Sequence, residues 1–255
     1  MHTRNITIGE AGTEPLPMIV IPDVHGHLDQ LVRLIKKLNQ LQLLDGRRLA
    51  FLGDYVDRGP ESRATLEFIC SLVELGHIAI AGNHDLVLLK ILQSDAGDWE
   101  YWVNRWARNY EDGVLMSYGI RKTPRGREGY QEVALELAQR MPTWHKRCLQ
   151  NLPWFYESNE LVLVHAGLNS SSTWQSQRSL LQQQEWGSIG PEQVFSAAHA
   201  TDTTNIHPSI RLVTGHAVLP RPVVRPNRVM LNCGVEHGGP LIAWVSDTEE
   251  VICIL

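Results

Sequence analysis

Five times along this chain, a short apolar run stops at Asp, His or Asn beside a glycine. Met18 to Ile21 gives way to Asp23-Val24-His25-Gly26, and Leu49 to Leu52 to Gly53-Asp54-Tyr55-Val56-Asp57-Arg58-Gly59. Ile78 to Ala81 leads into Gly82-Asn83-His84-Asp85, Leu161 to Val164 into His165-Ala166-Gly167, and Arg211 to Val213 into Thr214-Gly215-His216. Short apolar runs bounded by turn residues read as buried strands. Open α/β sheets place their ligand sites at the carboxyl ends of such strands. One Asp or His after a strand is usually a turn or a cap, but that reading does not account for five.

The segments between the strands say how the ends are brought together. Leu28, Leu31, Leu34, Ile35, Leu38 and Leu41 recur at helical spacing with Arg33, Lys36 and Lys37 between them, which predicts an amphipathic helix stopped near Asp45-Gly46. A second helix is predicted over 61–75 and a third from Asp85 to about Leu92. Three strand–loop–helix cycles imply a parallel sheet with helices on its faces. From Leu161 onward strands dominate, with further ones at Val229 to Leu231, Leu241 to Val245 and Val251 to Leu255. The expected fold is α/β (α+β), a two-sheet mixed β-sandwich flanked by helices. Residues 1–255 are read as one domain with a helical, Trp-rich insert at about 95–150. Trp99, Trp102 and Trp106 share a helix face there and are expected to pack on the core. Lys122 to Gly129, basic and rich in Gly and Pro, is expected to be a loop.

Composition excludes several classes. With 23 basic against 28 acidic residues and no long run of either sign, the chain lacks the basic stripe of a nucleic-acid binder. No apolar run approaches ~18 residues, the length needed to span a membrane. Cys70, Cys148, Cys233 and Cys253 are scattered without a C-x-x-C pair, so four reduced thiols in a cytoplasmic protein are expected.

The strand-end residues suit divalent metals. Carboxylate oxygens and imidazole nitrogens together hold Mn, Fe, Zn or similar ions, and the missing thiolates argue against a structural zinc. Asp23 and His25, two apart at a strand end, can share one ion. Asp54 can bridge two, and Asn83, His165 and His216 would complete the second. Two ions ~3.5–4 Å apart can clamp a phosphoryl group.

This set of motifs closely resembles the calcineurin-like metallophosphoesterases. Val56-Asp57-Arg58-Gly59 is similar to the mark of their phosphoprotein phosphatase branch. Ser117-Tyr118-Gly119 and Asn227-Arg228 through Gly238-Gly239 look like bacterial members, which include small Ser/Thr protein phosphatases and symmetrical diadenosine tetraphosphatases. The resemblance covers residues 18–245 and implies a metallo-dependent phosphatase fold. It implies metal ligation by Asp23, His25, Asp54, Asn83, His165 and His216, with His84 as general acid oriented by Asp57. It also implies that Arg58 grips phosphate oxygens through its planar fork. Two divalent ions are implied, Mn first, with Fe, Zn, Mg, Ni or Co as alternatives. Asn83 and His237 are expected to face the substrate. His27 is read as a capping or supporting residue, and His2, His77, His145, His199 and His207 as surface or satisfied core.

Three positions depart from the family pattern. Pro22 replaces a glycine before Asp23, and Ala217 replaces a threonine after His216. Ser188, two residues after Trp186, stands where many relatives carry a second phosphate-binding Arg, for which Arg178, Arg211 or Arg221 could substitute. The function expected is a Ser/Thr protein phosphatase-like phosphomonoesterase acting on a phosphoprotein or small phosphate ester. The alternative is a symmetrical bis(5'-nucleosyl)-tetraphosphatase, for which the Trp-rich insert and the Arg121 to Arg127 loop could form a nucleotide groove. A phosphate-binding module without turnover is the reading outside enzymology.

Overall fold

The structure is a computed structural model, described here for residues 16–108, 113–158, 161–184, 186, 190–202 and 210–255. Ser188, His2 and His207 lie outside the described residues.

Two five-stranded sheets form the centre. The first is built from β1 (Met18–Ile21), β2 (Arg48–Phe51), β3 (Ile78–Ala79), β9 (Leu241–Val245) and β10 (Val251–Ile254), in the order β10-β9-β1-β2-β3. β1, β2 and β3 are parallel, and β9 and β10 join antiparallel. The second contains β4 (Phe155–Ser158), β5 (Leu161–Val164), β6 (Arg211–Thr214), β7 (Val223–Val224) and β8 (Arg228–Met230), in the order β4-β5-β6-β8-β7. Its three central strands are parallel and its two edges antiparallel.

Side-chain alternation shows how β1 joins the layers. Met18 and Val20 pack with Ala50, Leu52, Leu163, Val213, Val229 and Trp244, which belong to both sheets. Ile19 and Ile21 pack with the helices on the opposite face. Successive strand residues face opposite sides, so a strand apolar at every position must be covered on both. The expected two-sheet sandwich flanked by helices is the observed fold.

Helices α1 (Leu28–Gln40), α2 (Ser62–Glu74) and α3 (Asn83–Ile91) follow β1, β2 and β3. α1 buries Leu31, Leu34, Ile35 and Leu38, the stripe its periodicity predicts. The 99–151 stretch holds α4 (Trp99–Arg108), α5 (Gly113–Ser117), α6 (Gly126–Arg140) and α7 (Thr143–Asn151). Trp102 and Trp106 are buried and Trp99 is half-buried, so these rings pack on the core and form no open stacking platform. Short helices α8 (Trp174–Gln183), α9 (Glu192–Phe195) and α10 (Ala197–Thr201) connect β5 to β6.

Three expectations change. β3 ends at Ala79, because the N–H of Ala81 donates to the carbonyl of Pro153 (2.8 Å) and leaves the ladder. The loop expected through Gly129 stops sooner, since Gly126 to Gly129 form the first turn of α6. Two of the basic residues there are paired locally: Lys122 with Glu132 and Glu136, and Arg127 with Glu100. The four cysteines are not all free, because Cys70 on α2 and Cys148 on α7 form a disulfide, while Cys233 and Cys253 remain thiols. The two bonded residues are 78 apart in sequence and meet only because α2 packs on α7, which spacing alone could not show.

Candidate metal centre

All five strand ends meet at Asp54. Its Oδ2 lies 3.5 Å from His25 Nε2 and 3.3 Å from His165 Nε2, and its Oδ1 accepts the backbone N–H of His84 at 2.9 Å. His165 Nε2 is also 3.0 Å from Asn83 Oδ1 and 3.1 Å from His216 Nδ1. Two groups able to hold a cation result, His25–Asp54–His84 and Asp54–His165–His216, with Asp54 common to both. Asp23 belongs to neither group. Its carboxylate accepts the N–H of His216 (3.0 and 3.1 Å) and an amide hydrogen of Asn232 (3.0 Å).

The imidazoles are preset as ligands. His25 Nδ1 lies 2.9 Å from the Val56 carbonyl and His165 Nδ1 2.7 Å from the Leu52 carbonyl. An oxygen there can only accept, so each Nδ1 carries the hydrogen and each Nε2 is left to bind at Asp54. A backbone acceptor behind the ring is the usual support of a metal-binding histidine. The donor set therefore fits divalent ions of borderline hardness.

Reaching this geometry strains the backbone. Among the described residues, eight that are not glycine have positive φ, and five of them are His25, Asp54, Asp57, Arg58 and His216. Such conformations cost ~1–3 kcal/mol each and collect where function requires them. Two glycines make room for the carboxylates: a Cβ on Gly82 would run into that of Asp54, and one on Gly215 into that of Asp23.

Electrostatics tie the cluster together. Burial raises the Asp23 carboxyl to about 7, with the Asp54 charge adding to it and His165 opposing. Burial would raise Asp54 too, but His165 and His84 outweigh it and hold Asp54 well below the usual carboxylate range. Burial lowers His25 to about 3, helped by the charge of His84, and lowers His216 to about 4, helped by His165. His84 and His165 are both raised to about 9, because Asp54, joined at His84 by Asp57, overcomes the cost of burial. Cations placed among these groups would satisfy both buried carboxylates while the imidazoles stay neutral and ligating.

His84, itself buried, has a further partner. Its Nδ1 lies 2.7 Å from Asp57 Oδ2, and the N–H of Asp57 donates to Ser62 Oγ (3.0 Å) at the start of α2. Arg58 follows directly and is partly exposed.

A model of the calcineurin-like phosphoesterases matches residues 16–247. The chain belongs to that family. A curated relative of Anoxybacillus flavithermus, an asymmetrical bis(5'-nucleosyl)-tetraphosphatase, is 25% identical over 92% of both chains. A symmetrical bis(5'-nucleosyl)-tetraphosphatase of Vibrio cholerae is 28% identical over 69% of this chain and 56% of its own. The crystal structure of a cold-active protein-tyrosine phosphatase from a psychrophilic Shewanella superposes with a TM-score of 0.60 at 16% identity, over 98% of this chain and 83% of that one. It shares the fold.

This phosphoesterase also uses residues that sequence reasoning passed over. Asp85 accepts the backbone N–H groups of Asp54 (2.7 Å), Tyr55 (3.0 Å) and Gly82 (2.9 Å), locking two strand ends together. It stands inside the Gly82-Asn83-His84-Asp85 motif, which was the available signal. Asn232, which bonds Asp23, and Glu236, whose buried carboxylate repels Asp23, carried no such signal. Elsewhere, His27 Nδ1 bonds the Val24 carbonyl at the α1 N-cap, as a supporting residue would. His77 and His145 are buried, and the half-buried His199 pairs with Glu192. His237 ends a 3-10 turn whose Val235 and Glu236 side chains are buried, and its own side chain is 61% exposed. Two suggested substitutes for the second phosphate-binding Arg are engaged elsewhere, Arg178 with Glu157 and Arg211 with Glu249.

Proposed function

We propose that the chain hydrolyses dinucleoside tetraphosphates through a dinuclear metal centre. The observation that carries the reaction class is the sharing of Asp54 by two ligand groups beside the His84–Asp57 pair. The nucleotide substrate is favoured by the relatives aligned over nearly the whole chain, whose names specify that activity. A second reading, dephosphorylation of phospho-Ser/Thr proteins, is favoured by the Val56-Asp57-Arg58-Gly59 motif.

In this reading Asp23, His25, Asp54, Asn83, His165 and His216 hold two divalent ions, with Mn as the first candidate. When bound, the ions supply positive charge against the transferring phosphoryl group and acidify water near neutral pH. Arg58 presents two parallel donors to the phosphate oxygens. His84 keeps its Nδ1 hydrogen on Asp57, so its Nε2 delivers a proton to the departing oxygen. Asp85 fixes the backbone of Asp54, and His237 is a rim contact for the substrate. Residues 1–255 act as one metallophosphoesterase domain, with the helical segment at about 95–150 beside the site. No helix among the described residues is long and apolar enough to cross a membrane, and we place the protein in the cytoplasm.

The test is turnover by Mn-loaded protein of diadenosine tetraphosphate, a phosphoserine peptide and p-nitrophenyl phosphate, with His84→Ala as control. Preferential cleavage of the dinucleotide is expected, and ADP alone versus ATP plus AMP as products separates symmetrical from asymmetrical attack. Efficient peptide dephosphorylation with the dinucleotide untouched would replace this reading with the second.

A further inference from the structure

The Cys70–Cys148 disulfide joins α2, which begins just after the Asp57 loop, to α7, which leads to Pro153 against the segment before His84. α2 begins at Ser62, whose Oγ accepts the N–H of Asp57, so this helix holds the Asp57 loop. α7 ends at Asn151, and two residues later the Pro153 carbonyl accepts the N–H of Ala81, immediately before Gly82-Asn83-His84. A covalent tie between α2 and α7 therefore fixes the spacing of the two segments whose side chains meet at 2.7 Å.

The bond is reachable from one side. A cavity of about 280 Å³ opens onto it, lined among others by Glu74, Trp144, Arg147 and Cys148. Cys70 is only 3% exposed, whereas Cys148 is half-buried and flanked by the exposed Trp144. A thiolate must approach a disulfide sulfur directly, so access selects Cys148 as the point of attack. Arg147 beside it favours an approaching anion.

We propose that Cys70–Cys148 is a thiol–disulfide modification site through which a dithiol reductant sets the activity of the phosphoesterase. One thiolate of the dithiol attacks Cys148 Sγ, the S–S bond breaks, and Cys70 leaves and takes a proton. The second thiol of the reagent attacks the mixed disulfide, releasing Cys148 as a thiol and closing the reagent's own disulfide. Two electrons pass from the dithiol to the protein. In the oxidised form the loops of Asp57 and His84 are held in register, and reduction releases them. The inference rests on membership of the phosphoesterase family and is independent of whether the substrate is a dinucleotide.

The experiment uses the full chain loaded with Mn and p-nitrophenyl phosphate as substrate, before and after dithiothreitol. Titratable thiols in the denatured protein should rise from two, Cys233 and Cys253, to four. Over the same range kcat should fall on the order of tenfold, the scale of a small misplacement of catalytic groups, and recover on reoxidation. The C70S/C148S double variant should show the low kcat and no response to dithiothreitol, whereas Cys253→Ser should respond like the parent. Four free thiols before reduction would overturn the proposal. A rise from two to four with kcat unchanged would do the same, marking the bond as purely structural even if the melting temperature drops. Reduction of the parent protein decides the matter alone if the double variant does not fold.

Discussion

The carboxylate of Asp57 and the imidazole of His84 meet at 2.7 Å although 27 residues separate them. Neither side chain is in contact through its own element. Asp57 is held by Ser62 at the head of α2, and His84 by the Asp54 carboxylate at the head of α3. General acids of this kind contribute ~10²–10⁴-fold. His84→Asn should therefore lower kcat by at least ~100-fold with KM little changed, the pattern of a group acting only in the transition state. Asp57→Asn should give a smaller loss. Steady-state kinetics on a substrate with a poor leaving group will show it, and equal kcat in all three proteins would remove His84 from the acid role.

Asp85 is expected to matter more for stability than for chemistry. Its carboxylate serves three buried N–H groups, and each orphaned donor costs about 1–3 kcal/mol. Asp85→Ala should lower the unfolding free energy by more than ~3 kcal/mol, and Asp85→Asn by less. Urea unfolding measures both, and a loss under ~1 kcal/mol for the alanine variant would show that water replaces the carboxylate.

Gly82 gives a steric test of the metal centre. A methyl there meets both the carboxylate and the backbone nitrogen of Asp54, so Gly82→Ala should reduce bound metal below two ions per chain and also lower the stability of the fold. Gly46→Ala is the control. Its φ is also positive, +69°, but no atom lies within 4 Å of its Cβ, so only the usual ~1 kcal/mol backbone cost applies. Elemental analysis after dialysis separates the two, and two ions per chain in Gly82→Ala would mean that Asp54 is not shared.

His145 sets an acid limit away from the centre. It is buried against Trp144, its Nδ1 lies 2.8 Å from the Tyr118 hydroxyl, and burial, aided by the Arg63 charge, lowers it to about 4. An unfolded imidazole titrates near 6.5, so between about pH 4 and 6.5 the unfolded chain binds the extra proton. Stability from this residue is then lost as pH falls through that window, by at most ~1.4 kcal/mol per unit. Urea midpoints at pH 5 and 7 should differ less in His145→Gln than in the parent protein, and an unchanged difference would locate the acid sensitivity elsewhere.

The strand-end cluster was legible in the sequence because each strand end carries its own signal. An apolar run fixes the strand, a glycine marks the tight turn, and the Asp, His or Asn between them has no local structural reason to recur five times. The parallel cycles and the helix stripe of α1 followed from the same local periodicities. What pairs with what was not local. Asn232, Glu236 and the Cys70–Cys148 bond depend on segments that approach only when both sheets close, and no spacing records such distances. The basic loop near Lys122 looked like a substrate groove because its acidic partners, Glu132, Glu136 and Glu100, lie on other elements, the nearest of them 10 residues away.

The side chains that gather around Asp54 were thus determined by the sequence itself, since each stands at the end of its own apolar strand. Only the tertiary structure decided that Asp85 holds the Asp54 backbone, that Asn232 bonds the Asp23 carboxylate, and that a disulfide ties α2 to α7. Those are relations between elements, created when burial of both sheet faces forces the strand ends to one edge.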